Sequence, residues 1–348
     1  MRRRKHNPLN LPDRVYPKHG AFYYFHRNGK WERLGTDLAE ARRKGNILNG
    51  MTTSYGTMSY YLDAFIINCE KRQEKGSLAP LTVKGYTRDI VPLKLFFGEM
   101  YPEDVEPKHI AQYLDLGVEH DRPIRANREK SCLSACFTWM IRIGEGNVKI
   151  NPCFNVRRNK EKPRDRYVED DELHSVRKIS VKQVRALLDL VYLTLQRPED
   201  IITWTRRNII VKQEPTGEIR RVIRNTQDKT GAYVDIAITP EIDEIFTELK
   251  VNNLDMNSTI IRRNDGRPYG YDGLCSMLTR YIEKCEVESF GYYDMKGKGA
   301  TDMWQHGVPL EQVQVLCGHK SVKTTEIYVK RRWKRTVEPN KIPIKRTA

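Results

Sequence analysis

The sequence predicts a multidomain α+β protein with a small β-rich module, an all-α domain and a mixed α/β domain. Three observations support this fold class. The chain has 348 residues, which favours two or three domains over one. Hydrophobic residues make up 39% of it, enough for ordinary cores. The hydrophobic periodicity changes along the chain, from short strand-like runs to long helical runs and then to a mixture of both.

The first 50 residues predict the β-rich module. Residues 14–36, RVYPKHGAFYYFHRNGKWERLGT, are expected to form two short strands with interleaved aromatic and basic side chains. We expect the turn between them at Asn28-Gly29, because this pair tolerates the positive φ of tight hairpins. A short helix is predicted over residues 38–44.

The rest of the chain predicts two larger domains. Residues 57–152 are expected to form four helices, with Thr82 capping one of them, and the charged residues 153–175 to form a linker. Residues 176–348 predict the mixed domain. Ser180 is the expected N-cap of its helix over 181–195, and strands are expected near 208–212, 220–227 and 233–238.

The charge predicts a polyanionic partner. The net charge is +16, and the sequence pI is about 9.4. Residues 1–50 hold 12 Lys and Arg against 4 Asp and Glu (+8), and residues 330–348 hold 8 against 1 (+7). Nucleic acid is the leading candidate and an anionic membrane surface the second, while a merely solvated surface is the ordinary explanation. The candidate phosphate contacts are Arg2, Arg3, Arg4, Lys5, Arg27 and Lys30.

Other classes are disfavoured. The seven cysteines are odd in number and form no Cys-x-x-Cys pair, so we expect a reducing cytosol and no disulfide framework. The N-terminus has no apolar run typical of a signal peptide. No stretch approaches the roughly 18 apolar residues of a membrane helix. The sequence contains no compact cluster of His, Asp and Glu with metal-ligand spacing.

Four local patterns in the last domain contain residues that could act in catalysis. They are Gln-Arg-Pro-Glu-Asp at Arg197, Asp-Lys-Thr-Gly at Lys229, Tyr-Asp-Met-Lys at Tyr293 and Lys296, and Gly-His-Lys-Ser followed by a tyrosine, at His319 and Tyr328. Each has an ordinary explanation, such as a salt-bridged arginine, a solvated hairpin lysine, a helix cap or a packed tyrosine. Their order and spacing together are the specific signal.

In that order, the patterns resemble the tyrosine recombinases, and phage integrases in particular, over nearly the whole chain. The string GHKSVKTTEIY carries most of the resemblance. The resemblance implies an arm-type DNA-binding module over 1–50, a core-site DNA-binding domain over 57–152 and a catalytic domain over 176–348 with a basic tail. It also implies double-stranded attachment-site DNA as partner, a homotetramer on that DNA and possible DNA-bending accessory proteins.

The resemblance also implies the roles of the site residues. Tyr328 is the expected nucleophile, forming a 3′-phosphotyrosyl link that conserves the bond energy, so no cofactor or metal is expected. Arg197 is expected to bind the non-bridging phosphate oxygens. Lys229 is expected to protonate the leaving 5′ oxygen, and His319 to hydrogen-bond the phosphate or assist proton transfer.

The chain departs from the family at three places. The usual His-x-x-Arg box is Tyr293-Asp-Met-Lys296, and a glycine that usually lies two residues before the first arginine is Leu195. The usual Leu-Leu-Gly-His is Leu-Cys-Gly-His, with Cys317. A lysine cannot provide the bidentate geometry of arginine, so reduced activity is expected.

Several alternatives remain open at this point. Lys298 could act in place of Lys296. The chain could be a pseudo-integrase that only binds DNA, a type I topoisomerase with the same chemistry, or a metal-dependent nuclease.

Overall fold

A computed structural model describes residues 7–51, 54–162, 164–227, 231 and 233–330. The chain divides into two compact units, Met1–Pro163 and Arg164–Ala348. The candidate residues Arg2, Arg3, Arg4, Lys5 and Lys229 lie outside the described residues. No helix in the described part is long and apolar enough to cross a membrane.

The first unit begins with a three-stranded antiparallel sheet, where two strands were expected. Its strands are β1 (Val15–Lys18), β2 (Ala21–Phe25) and β3 (Trp31–Gly35), and helix α1 (Leu38–Leu48) follows. The missed strand β1 contains Pro17, which is tolerated because β1 lies at the sheet edge. A tight turn at His19-Gly20, with φ of 50° and 73°, connects β1 to β2. The predicted Asn28-Gly29 turn joins β2 to β3.

Four helices form the rest of the first unit, as predicted. They are α2 (Met58–Glu74), α3 (Pro80–Phe97), α4 (Pro107–Glu119) and α5 (Pro123–Ile143). The predicted cap at Thr82 is wrong, because α3 begins at Pro80 with Ala79 before it. Proline suits the first helical position, where its missing N–H has no intrahelical partner to lose.

The charged segment after residue 152 is a shorter linker than expected. Cys153 is buried in the core of the helical part, and Val168 is buried in the core of the second unit. Helix α6 (Asp170–Ile179) already begins within the expected linker. Most residues of this segment are charged, which favours the prediction of a linker. Its few apolar side chains nevertheless pack into the two cores.

Ser180 does not cap the next helix. Its hydroxyl donates to the Val176 carbonyl at the end of α6 (2.6 Å), so the side chain points back along the chain. Helix α7 (Lys182–Thr194) begins after Val181.

The second unit is a mixed α/β fold around one main core. It continues with α8 (Pro198–Ile201), the antiparallel sheet β4 (Ile209–Gln213), β5 (Ile219–Thr226) and β6 (Tyr233–Ala237), then α9 (Pro240–Glu248), α10 (Tyr271–Cys285), α11 (Tyr292–Gln305), α12 (Leu310–Cys317) and α13 (Val322–Lys330). The three predicted strands are therefore confirmed within two residues. Helix α11 packs closely on α7 at Gly299, where a Cβ would lie 2.3 Å from the Tyr192 carbonyl oxygen.

Candidate active site

Arg197 is positioned by a sharp change of chain direction between α7 and α8. Leu195 ends α7 in the left-handed conformation (φ 53°, ψ 22°), the conformation that glycine adopts most easily. Arg197 is extended because the following Pro198 disfavours a helical conformation. Its Nη1 donates to Gln227 Oε1 (2.9 Å) and lies 3.7 Å from Asp200 Oδ2.

Lys296 is almost completely buried in α11. Its side chain is only 1% exposed, and Nζ lies 3.4 Å from the Cys317 carbonyl oxygen at the end of α12. Burial lowers the pKa of Lys296, and the charge of nearby Arg197 lowers it further. Both side chains are connected to the Cys317 carbonyl, Lys296 directly and Arg197 through Gln227, which donates to the same oxygen.

Lys298 points to a different part of the second unit. Two residues along a helix is more than half a turn, so Lys296 and Lys298 leave α11 in nearly opposite directions. The Lys298 Nζ contacts Asp170 Oδ1 (2.6 Å), Tyr167 Oη (3.0 Å) and Asp302 Oδ2 (3.2 Å). Burial alone would lower the pKa of Lys298, but these partners raise it. This geometry favours Lys296 over Lys298 as the cation beside Arg197.

Tyr293 lies in the first turn of α11 and is 41% exposed. Partial burial and a hydrogen bond with Glu199 raise the pKa of its hydroxyl, whereas the charge of Arg197 lowers it. The Tyr293 side chain thus belongs to the same group of residues as Arg197.

His319 lies in the turn that ends α12. Gly318 is left-handed (φ 65°), and the turn is closed by Gly318 N–H to the Val315 carbonyl (3.0 Å) and His319 N–H to the Gln314 carbonyl (3.2 Å). Burial, together with the charges of Lys296 and Arg197, lowers the pKa of His319 to about 4. Its imidazole is therefore neutral at pH 7.

Tyr328 lies on α13 and stacks on His319. The ring centroids are 5.6 Å apart, and the ring planes differ by 17°. A second contact comes from Thr325 on the same helix, whose Oγ1 lies 2.9 Å from His319 Nδ1. The orientation of His319 relative to the tyrosine is therefore set by two contacts from one helix.

Sequence reasoning missed a group of buried amides beneath Arg197. Gln196, Asn225 and Gln227 are each at most 1% exposed and are hydrogen-bonded to one another. Their positions next to Arg197 and at the end of β5 were visible in the sequence. A polar residue at a strand end is usually solvated, however, so nothing in the pattern indicated burial.

The structure brings five of the six candidate catalytic residues together. Arg197, Tyr293, Lys296, His319 and Tyr328 come from four separate segments, and Lys229 lies outside the described residues. Two cations, a neutral imidazole and two phenols form a site suited to a phosphodiester anion. Arg27 and Lys30 belong to the first unit and are exposed around the turn between β2 and β3.

Metal ligands are not grouped in the described part of the chain. No cluster of three or more His, Cys, Asp or Glu side chains there is placed to hold an ion.

Comparisons with known proteins find similar sequences and folds. Residues 167–335 match the model of the phage integrase family. The tyrosine recombinase XerC of Oceanobacillus iheyensis is 24% identical over 290 residues, which cover 78% of this chain and 91% of the relative.

Solved structures show the same fold. A lambda integrase dimer bound to a COC′ core site matches with a TM-score of 0.65 and 22% identity, covering 98% of this chain and 100% of the other. A lambda integrase tetramer bound to a Holliday junction matches with a TM-score of 0.67 and 19% identity, covering 95% and 99%. The chain thus resembles the tyrosine recombinases in sequence and fold, and residues 167–335 match the phage integrase family.

Proposed function

We propose that this chain is a site-specific DNA recombinase of the integrase type, which cleaves and rejoins DNA through a 3′-phosphotyrosyl intermediate. The observation that carries the proposal is the stacked Tyr328 and His319 pair, beside the partly exposed Arg197 and the buried Lys296. The match to a family domain supports recombinase activity only in general. The arrangement of these four side chains supports catalytic activity in this particular chain.

The reaction needs a nucleophile, a leaving group and charge stabilisation. The Tyr328 hydroxyl attacks the scissile phosphorus and gives its proton to water, directly or through His319, while the bond from phosphorus to the 5′ oxygen breaks. The 5′ oxygen leaves as a hydroxyl after gaining a proton, a role that the family resemblance assigns to Lys229. Attack by a 5′ hydroxyl from the second duplex reverses these steps and completes strand exchange.

The surrounding side chains support this step. Arg197 presents a planar set of donors to the non-bridging oxygens, and the Lys296 ammonium adds a point charge. Because its pKa is only about 4, the His319 imidazole is neutral at pH 7 and can accept a hydrogen bond, but so low a pKa makes it a weak base.

The extent of the matches favours an integrase over a XerC-type chromosomal recombinase. The sequence match to the XerC of Oceanobacillus iheyensis covers 78% of this chain, whereas the structural match to the lambda integrase dimer covers 98%. We therefore propose that the chain acts on the attachment sites of a phage or prophage in the bacterial cytoplasm. On DNA it would form a homotetramer, with DNA-bending accessory proteins as possible further partners.

Tyr328→Phe tests the nucleophile. A duplex is selected from a random pool by its affinity for the protein and then nicked at successive positions, so that a nick near the scissile phosphate traps the covalent intermediate. We expect the natural protein to form an adduct and Tyr328→Phe to form none at unchanged DNA affinity. Tyr281→Phe, which alters a core-packed tyrosine on α10, should still form it. Adducts with Tyr328→Phe would assign the nucleophile to another residue.

The second candidate is a pseudo-integrase that only binds DNA. The observation in its favour is Lys296, which replaces the second arginine of the family and is 1% exposed. Tight DNA binding without any adduct from the natural protein would select this candidate. Cleavage abolished by a chelator would instead indicate a metal-dependent nuclease. Relaxation of plasmids without strand exchange between sites would indicate a topoisomerase.

A further inference from the structure

A chain of buried side-chain hydrogen bonds connects Trp204 to Arg197. The Trp204 indole N–H donates to Asn225 Oδ1 (2.7 Å), and Asn225 Nδ2 donates to Gln196 Oε1 (2.7 Å). Gln227 Nε2 donates to the same Gln196 oxygen (2.9 Å). At the far end, Gln227 Oε1 accepts from Arg197 Nη1 (2.9 Å). The candidate phosphate-binding arginine is therefore connected to the core of the unit.

The amide groups of this chain have only one consistent orientation. Indole and guanidinium groups are pure donors, so the amides beside Trp204 and Arg197 must present their oxygens. Backbone carbonyls are pure acceptors, and the Cys317 carbonyl receives Gln227 Nε2 at 2.9 Å. A flipped Gln227 amide would place its N–H group against the N–H of Arg197. Its oxygen would then face the oxygens of Gln196 and the Cys317 carbonyl, which is costly in a buried site. The direction of the Gln227 carboxamide is thereby defined.

Gln227 joins segments that are far apart in the chain. Besides Arg197, it binds the Cys317 carbonyl, which also lies 3.4 Å from Lys296 Nζ. The next residue, Gly318, lies directly against the amide, since a Cβ there would be 2.2 Å from Gln227 Nε2. The Gln227 side chain, at the end of β5, therefore contacts both the Arg197 guanidinium and the turn that carries His319.

We propose that Gln227 is a positioning residue, which aligns the Arg197 guanidinium with the turn that carries His319 for phosphate binding. The inference rests on the proposed recombinase function. Gln227 is completely buried, so it acts through Arg197 and the turn and not through its own contact with DNA. Misplacing a reacting or binding group by about 1 Å can cost roughly 10²-fold in rate.

Gln227→Met tests this role, because methionine has a similar shape but cannot donate or accept these hydrogen bonds. The matched control is Gln183→Met, since Gln183 is a buried glutamine of the same unit that donates to the Arg262 carbonyl (3.3 Å). We expect Gln227→Met to lower the single-turnover rate of adduct formation by roughly 10- to 100-fold with unchanged DNA affinity. Gln183→Met should keep the natural rate. Equal rates in both variants would overturn the proposal.

A double-mutant cycle separates positioning from general destabilisation. If Gln227 acts through Arg197, Gln227→Met should slow the reaction much less in an Arg197→Ala background than in the natural protein. Equal slowing in both backgrounds would show that the two side chains act independently, which contradicts the proposal. If Gln227→Met does not fold, Gln227→Asn replaces it, since it retains both polar groups but is one methylene shorter.

Binding of inorganic phosphate tests the alignment without cleavage. We expect phosphate to raise the melting temperature of the natural protein and of Gln183→Met, and to raise that of Gln227→Met and Arg197→Ala much less. A full phosphate shift in Gln227→Met would overturn the positioning role. If the natural protein binds phosphate but never forms an adduct, the proposed recombinase function fails, and the comparison of phosphate shifts still decides the role of Gln227.

Discussion

At the scale of single residues, the site shows how replaced family positions are accommodated. Leu195 adopts the left-handed conformation where the family usually has glycine, and its side chain is completely buried beside Ala300 and Val313. Burial of a leucine contributes about 1.5–3 kcal/mol, which offsets the roughly 1–2 kcal/mol cost of that conformation. At Lys296 nothing offsets the replacement, because a single ammonium group cannot bind two phosphate oxygens as the planar guanidinium of arginine does.

Replacing Lys296 with arginine should therefore accelerate the chemistry. We expect Lys296→Arg to raise the single-turnover rate of adduct formation, by up to ~10²-fold if two-oxygen binding is restored. Lys298→Arg is the matched control, since Lys298 is paired with Asp170 and Asp302 and should give no acceleration. A Lys296→Arg protein that binds DNA equally but reacts no faster would move attention to Tyr293 or Leu195.

The neutral His319 predicts a specific pH dependence of stability. Its pKa falls from the ordinary 6.5 to about 4 on folding, so the unfolded chain binds the proton more readily. The contribution of His319 to stability is therefore complete above pH 6.5 and is lost as the pH falls towards 4. We expect the stability advantage of the natural protein over His319→Gln to shrink across this range.

Thermal unfolding at several pH values measures this change. His306→Gln, which alters an exposed histidine at the end of α11, is the control. An advantage over His319→Gln that stays constant from pH 7 to pH 4 would contradict the lowered pKa.

At the scale of elements, the contact between α7 and α11 aligns two parts of the site. Arg197 follows α7, and Lys296 lies on α11 one turn before the close approach at Gly299. A side chain at Gly299 would meet both the Tyr192 carbonyl oxygen (2.3 Å) and Leu195 Cδ2 (2.7 Å). The spacing of these helices therefore controls how close the two cations can be.

Gly299→Ala should separate the two helices. Overpacking of this kind costs about 1–3 kcal/mol, so we expect the urea midpoint of unfolding to fall by a corresponding amount. Gly273→Ala on α10 is the control, because a Cβ there meets nothing within 4 Å. It should be neutral or slightly stabilising, since alanine favours a helix more than glycine does. Equal midpoints for the two variants would disprove the close packing.

At the scale of the whole molecule, the charge lies mainly at the chain ends. Residues 1–50 and 330–348 together carry +15 of the net +16. In the first unit, the β-rich module contacts the helical part through Arg43, which pairs with Glu103 and lies over the Tyr101 ring at 3.6 Å. The module is therefore both a carrier of positive charge and a packed part of its unit.

Deleting residues 1–50 should weaken DNA binding mainly through electrostatics. Loss of 12 basic residues means that fewer counterions are released, so the affinity should depend less steeply on salt concentration. Binding to a second, arm-type site should weaken, while adduct formation at the core site should survive. Binding curves at several salt concentrations measure the slope, and loss of core cleavage would show that the module is needed for catalysis.

The sequence was sufficient to predict the fold class, most of the element types and the candidate catalytic residues. Hydrophobic periodicity is a local property, so the four helices of the first unit and the strands β4 to β6 could be predicted from neighbouring residues alone. The motif order in turn predicts Arg197, His319 and Tyr328 as catalytic residues through the family resemblance. The short strand β1 and the starts of α3 and α7 were not predicted. A proline can lie in an edge strand or begin a helix, and a serine can cap either of two helices, and the surrounding fold decides which occurs.

Only the tertiary structure shows how these residues are held. Lys296 and Lys298 are equivalent cations in the sequence, yet one lies by Arg197 and the other pairs with Asp170 and Asp302. Gln227 is an ordinary polar residue in the sequence and a buried connector in the fold. Burial and hydrogen-bond partners come from segments far away in the chain, 131 residues in the case of Lys298 and Tyr167, so no local pattern could contain them.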